Sequence, residues 1–160
     1  MKKRLSVYIE TSVISYYANQ LSRDIVLAGK QQTTRDWWEN VLPKLKVYVS
    51  PYVLAEISKG TPKEVEMRKS AVMHFEVLEE IPDVVSLAKG YLKKMSIPRK
   101  SEIDAYHLAI ATIYNLDFIV SWNCKHIANA FMIKQIQKIN GEFNLSSPLI
   151  CVPTEMMEGF

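Results

Sequence analysis

Leu5-Ser6-Val7-Tyr8-Ile9-Glu10-Thr11-Ser12 runs from a short apolar β-type segment into an acid and two residues that favour helix N-termini. The next residues, 13–18, continue as a short helical pattern. The same order of apolar run, polar break and helix recurs along the chain, which is typical of α/β proteins. The sequence therefore predicts a three-layer α/β/α sandwich with a mainly parallel central sheet.

Further strands and helices are predicted from the same patterns. The predicted strands are 46–50, 75–78, 117–121 and 149–152, in addition to 5–9. The predicted helices are one around Trp37 and Trp38 capped by Thr33 or Thr34, one carrying Glu56 and ending at Gly60, one from Pro62 to about Phe75, one from Pro82 to about Met95, one over Glu102–Asn115 capped by Ser101, and one from Cys124 to about Asn140. Residues 20–32 are polar and predict a loop or a weak helix.

The composition is that of an ordinary globular domain. The 160 residues are 48% apolar and 23% charged, which predicts one domain over residues 1–160. The formal net charge of +3 permits an anionic partner but does not by itself indicate one. Because the apolar run after Arg4 is too short for a signal peptide, and no segment is long enough for a membrane span, we expect a cytoplasmic protein without membrane contact. Cys124 and Cys151 lack the spacing of a zinc or disulfide site.

Three acids stand inside apolar stretches, where a solvated charge is out of place. They are Glu10, Glu56 and Asp104. Acids are rarely buried without a partner, and Mg²⁺ or Mn²⁺ shared by all three would be one. Glu10 and the segment 121–123 each end a predicted strand, at the sheet edge where ligands gather. The acids therefore predict a metal site of the kind that hydrolyses phosphodiesters.

Each acid also has an ordinary structural explanation. Glu10 could contact only the first amides of the helix that follows, and Asp104 could serve only as a favourable charge at a helix N-terminus. Glu56 is harder to explain in this way because it stands in mid-helix among apolar neighbours.

The motifs together resemble those of the PIN-domain ribonucleases, in particular the VapC-like toxins. The resemblance extends from Val7-Tyr8-Ile9-Glu10-Thr11-Ser12-Val13 through Glu56 and Asp104-Ala105-Tyr106-His107-Leu108-Ala109-Ile110-Ala111 to Ile119-Val120-Ser121-Trp122-Asn123. It implies a catalytic and metal-binding set of Glu10, Glu56, Asp104 and Asn123, with Mg²⁺ or Mn²⁺ as cofactor. Glu10 and Asn123 stand where the family more often has Asp. The loss of charge at Asn123 predicts one firmly bound ion.

The resemblance also implies an activity and partners. We expect an endoribonuclease that cleaves RNA to leave a 3′-hydroxyl and a 5′-phosphate, controlled by an antitoxin protein and assembled as a homodimer. The alternative is a catalytically weak PIN-like module that binds RNA or protein. A nucleotide-binding α/β protein is disfavoured because no glycine-rich loop follows a strand.

Several other residues are candidates for contact with RNA, and they lie near the predicted site in sequence. They are Thr11, Ser12, Arg99, Lys100, Ser121, Trp122 and His126. Trp122 offers an aromatic face for a base, and Arg99 with Lys100 offers positive charge for phosphates. Asp117 precedes its strand and is predicted to have a turn or capping role at the opposite edge. His107 has no evident companion and is predicted to be structural.

Overall fold

The computed structural model describes residues 3–160 and has the predicted α/β sandwich architecture. Its strands, within that range, are β1 (Ser6–Ile9), β2 (Lys46–Val49), β3 (Glu76–Val77), β4 (Phe118–Val120) and β5 (Leu149–Cys151). They form one sheet in the order β3-β2-β1-β4-β5, and every neighbouring pair is parallel. Each strand lies within one or two residues of its predicted position.

The helices flank this sheet. In the described part of the chain they are α1 (Thr11–Ala18), α2 (Ile25–Asn40), α3 (Pro51–Ile57), α4 (Pro62–Val72), α5 (Pro82–Lys94), α6 (Glu102–Ile113), α7 (Ala130–Glu142) and α8 (Pro153–Met156). None of the helices in residues 3–160 combines the length and the apolar composition that crossing a bilayer requires.

The strand order reverses beside β1, and this reversal positions the site. The chain moves from β1 outward through β2 to β3, then returns to the other side of β1 and continues from β4 to β5. Connections on the two sides of such a point diverge, which leaves a crevice at the carboxyl ends of the central strands. Here those ends are Ile9 of β1 and Val120 of β4, which are register partners.

Helix α6 is the most deeply buried helix of the fold. Eight of its side chains, including Leu108, Ile110 and the polar residues Asp104 and His107, are buried. It packs against α5 and contacts β4 and α3. The helix is therefore buried on nearly every face, and the polar residues on it need partners inside the protein.

Of the two predictions for residues 20–32, a loop or a weak helix, the helix is found over most of the segment, where residues 25–32 form the first half of α2. Asp24 caps the helix by accepting a hydrogen bond from the amide of Leu27 at 2.8 Å. The sequence pattern of this helix is weak because an apolar residue faces solvent and a polar residue faces the core. Ile25 is 86% exposed, whereas Thr34 is fully buried. Thr34 therefore lies inside α2 and does not cap it.

Two other predicted helix starts differ from the structure. Helix α7 begins six residues later than predicted, since residues 124–129 form turns and Asn129 caps the helix through the amide of Met132. Ser101 precedes α6, but its side chain makes no capping hydrogen bond. In both cases the chain uses turns that hydrophobic periodicity does not reveal.

Candidate functional site

Glu10 lies at the carboxyl end of β1, in the crevice beside β4. It is 5% exposed and is itself the N-cap of α1, because its Oε2 accepts a hydrogen bond from the amide of Ser12 at 3.1 Å. The hydroxyl of Ser12 donates to the same oxygen, as does the hydroxyl of Ser121 at 2.8 Å. The other oxygen, Oε1, has no hydrogen-bond partner among residues 3–160. The capping role therefore occupies one oxygen and leaves the second free.

Glu56 comes from the other side of the crevice, near the end of α3. Its Oε1 accepts a hydrogen bond from the hydroxyl of Thr11 at 2.7 Å and lies 2.6 Å from Nε2 of His107. Its Oε2 is without a hydrogen-bond partner in the described part of the chain. Glu56 thus has the same division as Glu10, with one oxygen held and one oxygen free.

His107 is a member of the site that the sequence prediction missed. Its side chain is fully buried on α6, and its ligand atoms lie within 4.8 Å of those of Glu10 and Glu56. Its spacing from Asp104 could have identified it as a member of the site, since a residue three positions after Asp104 lies on the same face of the helix. The prediction that His107 lacks companions is wrong.

Asp104, Asn123 and His126 form a second group next to the first. Nδ1 of His126 lies 3.0 Å from Oδ2 of Asp104, and the nearby side chain of Asn123 acts to lower the pKa of this acid. Oδ1 of Asn123 accepts from the amide of His126 at 3.1 Å. The predicted ligand Asn123 therefore uses its carbonyl oxygen to organise the turn after β4.

The segment after β4 joins the two groups. Ser121 donates to Glu10, and its hydroxyl oxygen accepts from the amide of Asn123 at 2.9 Å. The amide of Trp122 donates to the hydroxyl of Ser12 at 2.8 Å. The side chains of Ser12 and Ser121 thus connect the start of α1 to the turn after β4.

The electrostatics of the site follow from burial. Burial raises the pKa of Glu10 and of Asp104, although the nearby His107 opposes the shift. Burial also raises the pKa of Glu56, but hydrogen bonds from His107 and Thr11 outweigh it and the pKa is lowered overall. Burial would lower the pKa of His107, yet its bond to Glu56 and the surrounding carboxylates raise it. Two of the three acids therefore ionise at a cost that a bound cation would remove.

The remaining predicted contacts occupy different positions around the crevice. Trp122 is partly buried: its Nε1 donates to Thr34, its ring stacks on Tyr16, and Nζ of Lys30 lies 5.5 Å from the ring centroid. Arg99 and Lys100 are exposed on a 3₁₀ turn that leads into α6. Trp122 thus already has intramolecular partners on its ring, whereas the two cations face solvent.

The donor set suits a hard divalent cation. Carboxylate oxygens are the ligands that Mg²⁺ and Mn²⁺ prefer. Glu10 and Glu56 each present an oxygen that is free of hydrogen bonds within residues 3–160, and their ligand atoms lie within a few ångströms of each other. Glu10, Glu56 and the adjacent Asp104 are the residues that could hold such an ion.

The comparisons with known proteins bear on the fold. No protein-family model matches the sequence, and no curated protein matches it. The structure is similar to VapC20 of Mycobacterium tuberculosis, a sarcin-ricin loop cleaving toxin, with 16% identity and a TM-score of 0.58 over 75% of this chain and 92% of that one. It is also similar to VapBC2 from Rickettsia felis bound to a promoter DNA fragment, with 14% identity and a TM-score of 0.56 over 92% of this chain and 98% of that one. The chain therefore has a VapC-like PIN-domain fold.

Proposed function

We propose that this protein is a metal-dependent endoribonuclease, the toxin of a toxin–antitoxin pair, and that residues 1–160 act as a single domain. The observation that carries the proposal is the meeting of Glu10, Glu56 and His107 within 4.8 Å at the strand reversal of a VapC-like PIN-domain fold. Asp104 lies beside them on the same helix as His107. A buried cluster of acids at this place in an α/β sheet is a costly arrangement that a ligand would offset.

The chain's own residues would hold the ion and the substrate in place. Glu10, Glu56 and Asp104 would bind Mg²⁺ or Mn²⁺, and Asn123 would support Asp104 through His126, whose amide it accepts from and whose ring contacts the acid. When bound, the ion would supply Lewis acidity to the phosphodiester and lower the pKa of an attacking water. Ser12, Ser121 and Thr11 would keep the carboxylates in position, because each donates a hydrogen bond to one of them.

The RNA would approach across the exposed turn that precedes α6. Arg99 and Lys100 lie within five residues of Asp104 and point their charge to solvent, which suits contact with the flanking phosphates. His126 is a further candidate for phosphate contact, because it bonds to Asp104 at the rim of the site. Trp122 could stack on a base only if Lys30 or Tyr16 moved from its ring.

Charge reversal tests the proposed RNA surface. In Arg99→Glu/Lys100→Glu, binding of a single-stranded RNA to the Mn²⁺-free protein should weaken. The slope of log affinity against log salt should fall by about one for each phosphate that the protein no longer neutralises. Binding that keeps the wild-type affinity and slope would remove this turn from the RNA surface. Reversal of Lys63 and Lys69 on α4 is the control for net charge.

The central experiment compares two acid-to-amide substitutions. Purified protein is incubated with mixed RNA and Mn²⁺ or Mg²⁺, and Asp104→Asn is compared with Asp117→Asn. Asp104→Asn should lose cleavage by roughly 10²-fold or more, because metal catalysis contributes several kcal/mol. Asp117→Asn changes an acid at the opposite edge of the sheet and should cleave like the wild type. A chelator should abolish all cleavage.

The outcomes separate the nuclease from the binding module. Cleavage that survives the chelator or Asp104→Asn would refute the metal mechanism. RNA binding without cleavage under either metal would favour the catalytically weak module instead.

The partners and the location are further parts of the proposal. The Rickettsia felis neighbour is a VapBC2 complex, and on that likeness we propose an antitoxin that binds this chain. We also propose a homodimer and a cytoplasmic location, where RNA substrates are available. Coexpression with candidate antitoxins from the same operon, followed by light scattering of the free chain and of the complex, measures both assemblies.

A further inference from the structure

A chain of buried hydrogen bonds leads from the sheet to Glu56 through His107. Ser50 follows β2, and its Oγ lies 2.7 Å from the hydroxyl of Tyr8 on β1. The Tyr8 hydroxyl lies 2.6 Å from Nδ1 of His107, and Nε2 of His107 lies 2.6 Å from Oε1 of Glu56. Tyr8, Ser50 and His107 are each fully buried. Three polar groups are therefore withdrawn from water and connected to each other and to the site.

The partners determine which ring nitrogen faces Glu56 as a donor. A carboxylate only accepts hydrogen bonds, so Nε2 must carry a proton to bond to Glu56. In the neutral ring, Nδ1 then accepts from the hydroxyl of Tyr8, which in turn accepts from Ser50. In the charged ring, both bonds between Tyr8 and its neighbours reverse, but Nε2 still donates to Glu56. The contact with Glu56 is thus the same in either protonation state.

We propose that His107 is a positioning residue that holds the Glu56 carboxylate beside Glu10 for cation binding, and that Tyr8 and Ser50 fix the ring for this purpose. This inference rests on the proposed function, because it assigns a role within the same site. Groups that hydrogen bond to a ligating carboxylate orient it and typically change metal affinity by roughly 10- to 100-fold. His107 fits this role because a second donor, Thr11, holds the same Glu56 oxygen and leaves Oε2 free.

Direct ligation by His107 is the competing explanation. A histidine nitrogen that binds a metal must offer its lone pair. Nε2 would then have to give up its proton, and its hydrogen bond to Glu56 would be broken at a separation of 2.6 Å. Nδ1 is directed at the hydroxyl of Tyr8 and is equally engaged. The geometry points to the donor role.

Two amide substitutions at His107 separate the loss of the hydrogen bond to Glu56 from the general cost of changing a buried side chain. In His107→Gln the side-chain amide can take the position of Nε2 and donate to Glu56. In His107→Asn the shorter amide takes the position of Nδ1 and cannot reach. Both variants bury an amide at the same site, so their general structural costs are similar. His107→Asn should bind Mn²⁺ roughly 10- to 100-fold more weakly than the wild type, measured by calorimetry, whereas His107→Gln should stay within a few-fold.

Two tyrosine variants, a test and its control, examine the buried hydrogen bonds behind His107. Tyr8→Phe removes one ring partner and should weaken Mn²⁺ binding by a few-fold. The control is Tyr91→Phe, which removes another fully buried tyrosine hydroxyl that bonds to Thr112 on α6. Thr112 is eight residues beyond Asp104, which is about 12 Å along the helix. Tyr91→Phe should therefore leave Mn²⁺ affinity unchanged. Equal Mn²⁺ affinity in wild type and His107→Asn, both folded by circular dichroism, would overturn the inference.

Spectroscopy distinguishes a positioning role of His107 from direct ligation of the metal. The Mn²⁺ affinities show whether the site itself fails. Electron spin echo measurements on the Mn²⁺ protein should lack the strong nitrogen coupling of a bound imidazole. Such a coupling, abolished in His107→Gln, would identify His107 as a ligand and refute the positioning role. If wild-type protein binds no Mn²⁺ at all, the proposed function fails and the role of His107 fails with it. If wild type and variants bind equally, only the role of His107 fails.

Discussion

At both ends of the β1–β4 strand pair a serine donates hydrogen bonds to an acid, but the pKa of the acid is shifted in opposite directions at the two ends. At the amino end, Ser6 of β1 donates through its amide and its hydroxyl to Oδ2 of Asp117, both at 2.7 Å. At the carboxyl end, Ser121 donates across the same two strands to Glu10, which also receives the amide and the hydroxyl of Ser12. Each end therefore has an acid bridged to a serine of the neighbouring strand.

The pKa shifts of the two acids differ in sign. The hydrogen bonds from Ser6 lower the pKa of Asp117, which lies near solvent. Burial raises the pKa of Glu10, even though more donors contact it. Hydrogen bonds thus favour the charged form of both acids, but at Glu10 the effect of burial is larger. The acid at the amino end thus fits a role in the fold, while the acid at the carboxyl end is held at a cost that the proposed metal site would explain.

The largest expected effect comes from removing the charge of Glu10. Glu10→Gln keeps an oxygen that can accept from Ser12 and Ser121 but removes the carboxylate that would bind a cation. Cleavage should fall by roughly 10²-fold or more, since each tenfold loss corresponds to about 1.4 kcal/mol of the metal's contribution. The metal-free variant should nevertheless melt at a higher temperature than metal-free wild type, because a buried charge has been removed.

Thermal unfolding with and without Mn²⁺ checks both halves of this prediction. Mn²⁺ should raise the melting temperature of wild type and leave that of Glu10→Gln nearly unchanged. A metal-free Glu10→Gln that melts below wild type would show that Glu10 serves the fold as Asp117 does. The contrast between the two strand ends would then disappear.

The opposite result is expected at the amino end. Asp117→Ala removes two hydrogen bonds between β1 and β4 and should lower the free energy of unfolding by about 1–2 kcal/mol. In a domain of this size that is a fall in melting temperature of about 2–4 °C per kcal/mol. Cleavage per folded molecule should equal that of wild type below the transition. Denaturant unfolding measures the first quantity, and a loss of cleavage at full folding would contradict the assignment.

The sheet and the site differed in how well the sequence predicted them. The strands were predicted because their apolar runs are bounded by polar residues, and their parallel pairing was predicted from the alternation with helices. The sequence predicts only the second half of α2 as a clear helix, because buried Thr34 is polar and exposed Ile25 is apolar, the reverse of the usual pattern. Local periodicity reports which residues are usually buried, and it fails where tertiary contacts such as the bond from Trp122 to Thr34 decide burial.

Within the site, the acids could be predicted and their supporting partners could not. Glu10, Glu56 and Asp104 stand out because their charge is unusual in an apolar stretch. His107 does not stand out, since a lone histidine on a buried helix has many ordinary roles. Its partners Tyr8 and Glu56 are 99 and 51 residues away in sequence, so only the fold brings them to the ring.

Acidification should separate the two strand ends in the metal-free protein. Asp117 has a lowered pKa, so its contribution to stability is complete above the unfolded value of about 3.9 and is lost only as pH falls through the folded value. Glu10 has a raised pKa, so its cost is absent below about pH 4.3 and develops as pH rises through the folded value. On acidification from neutral pH, the stability difference between Glu10→Gln and wild type should shrink first, while the difference for Asp117→Ala persists to lower pH. Chemical denaturation over a pH series measures both differences, and their disappearance in the reverse order would contradict the assigned signs.

The smallest expected effect is the difference in cleavage between alanine variants of the two serines that bridge β1 and β4. Ser6→Ala removes one of the two donors to Asp117 and also the oxygen that accepts from the amide of Asp117 at 2.9 Å, and it should lower stability by about 1–2 kcal/mol without changing cleavage. Ser121→Ala removes a donor to Glu10 and also the oxygen that accepts from the amide of Asn123. It should therefore cost stability too, but cleavage at full folding should fall several-fold because both Glu10 and the turn that holds Asp104 lose a restraint. Equal cleavage by the two variants would mean that Ser121, like Ser6, only stabilises the pairing of the two strands.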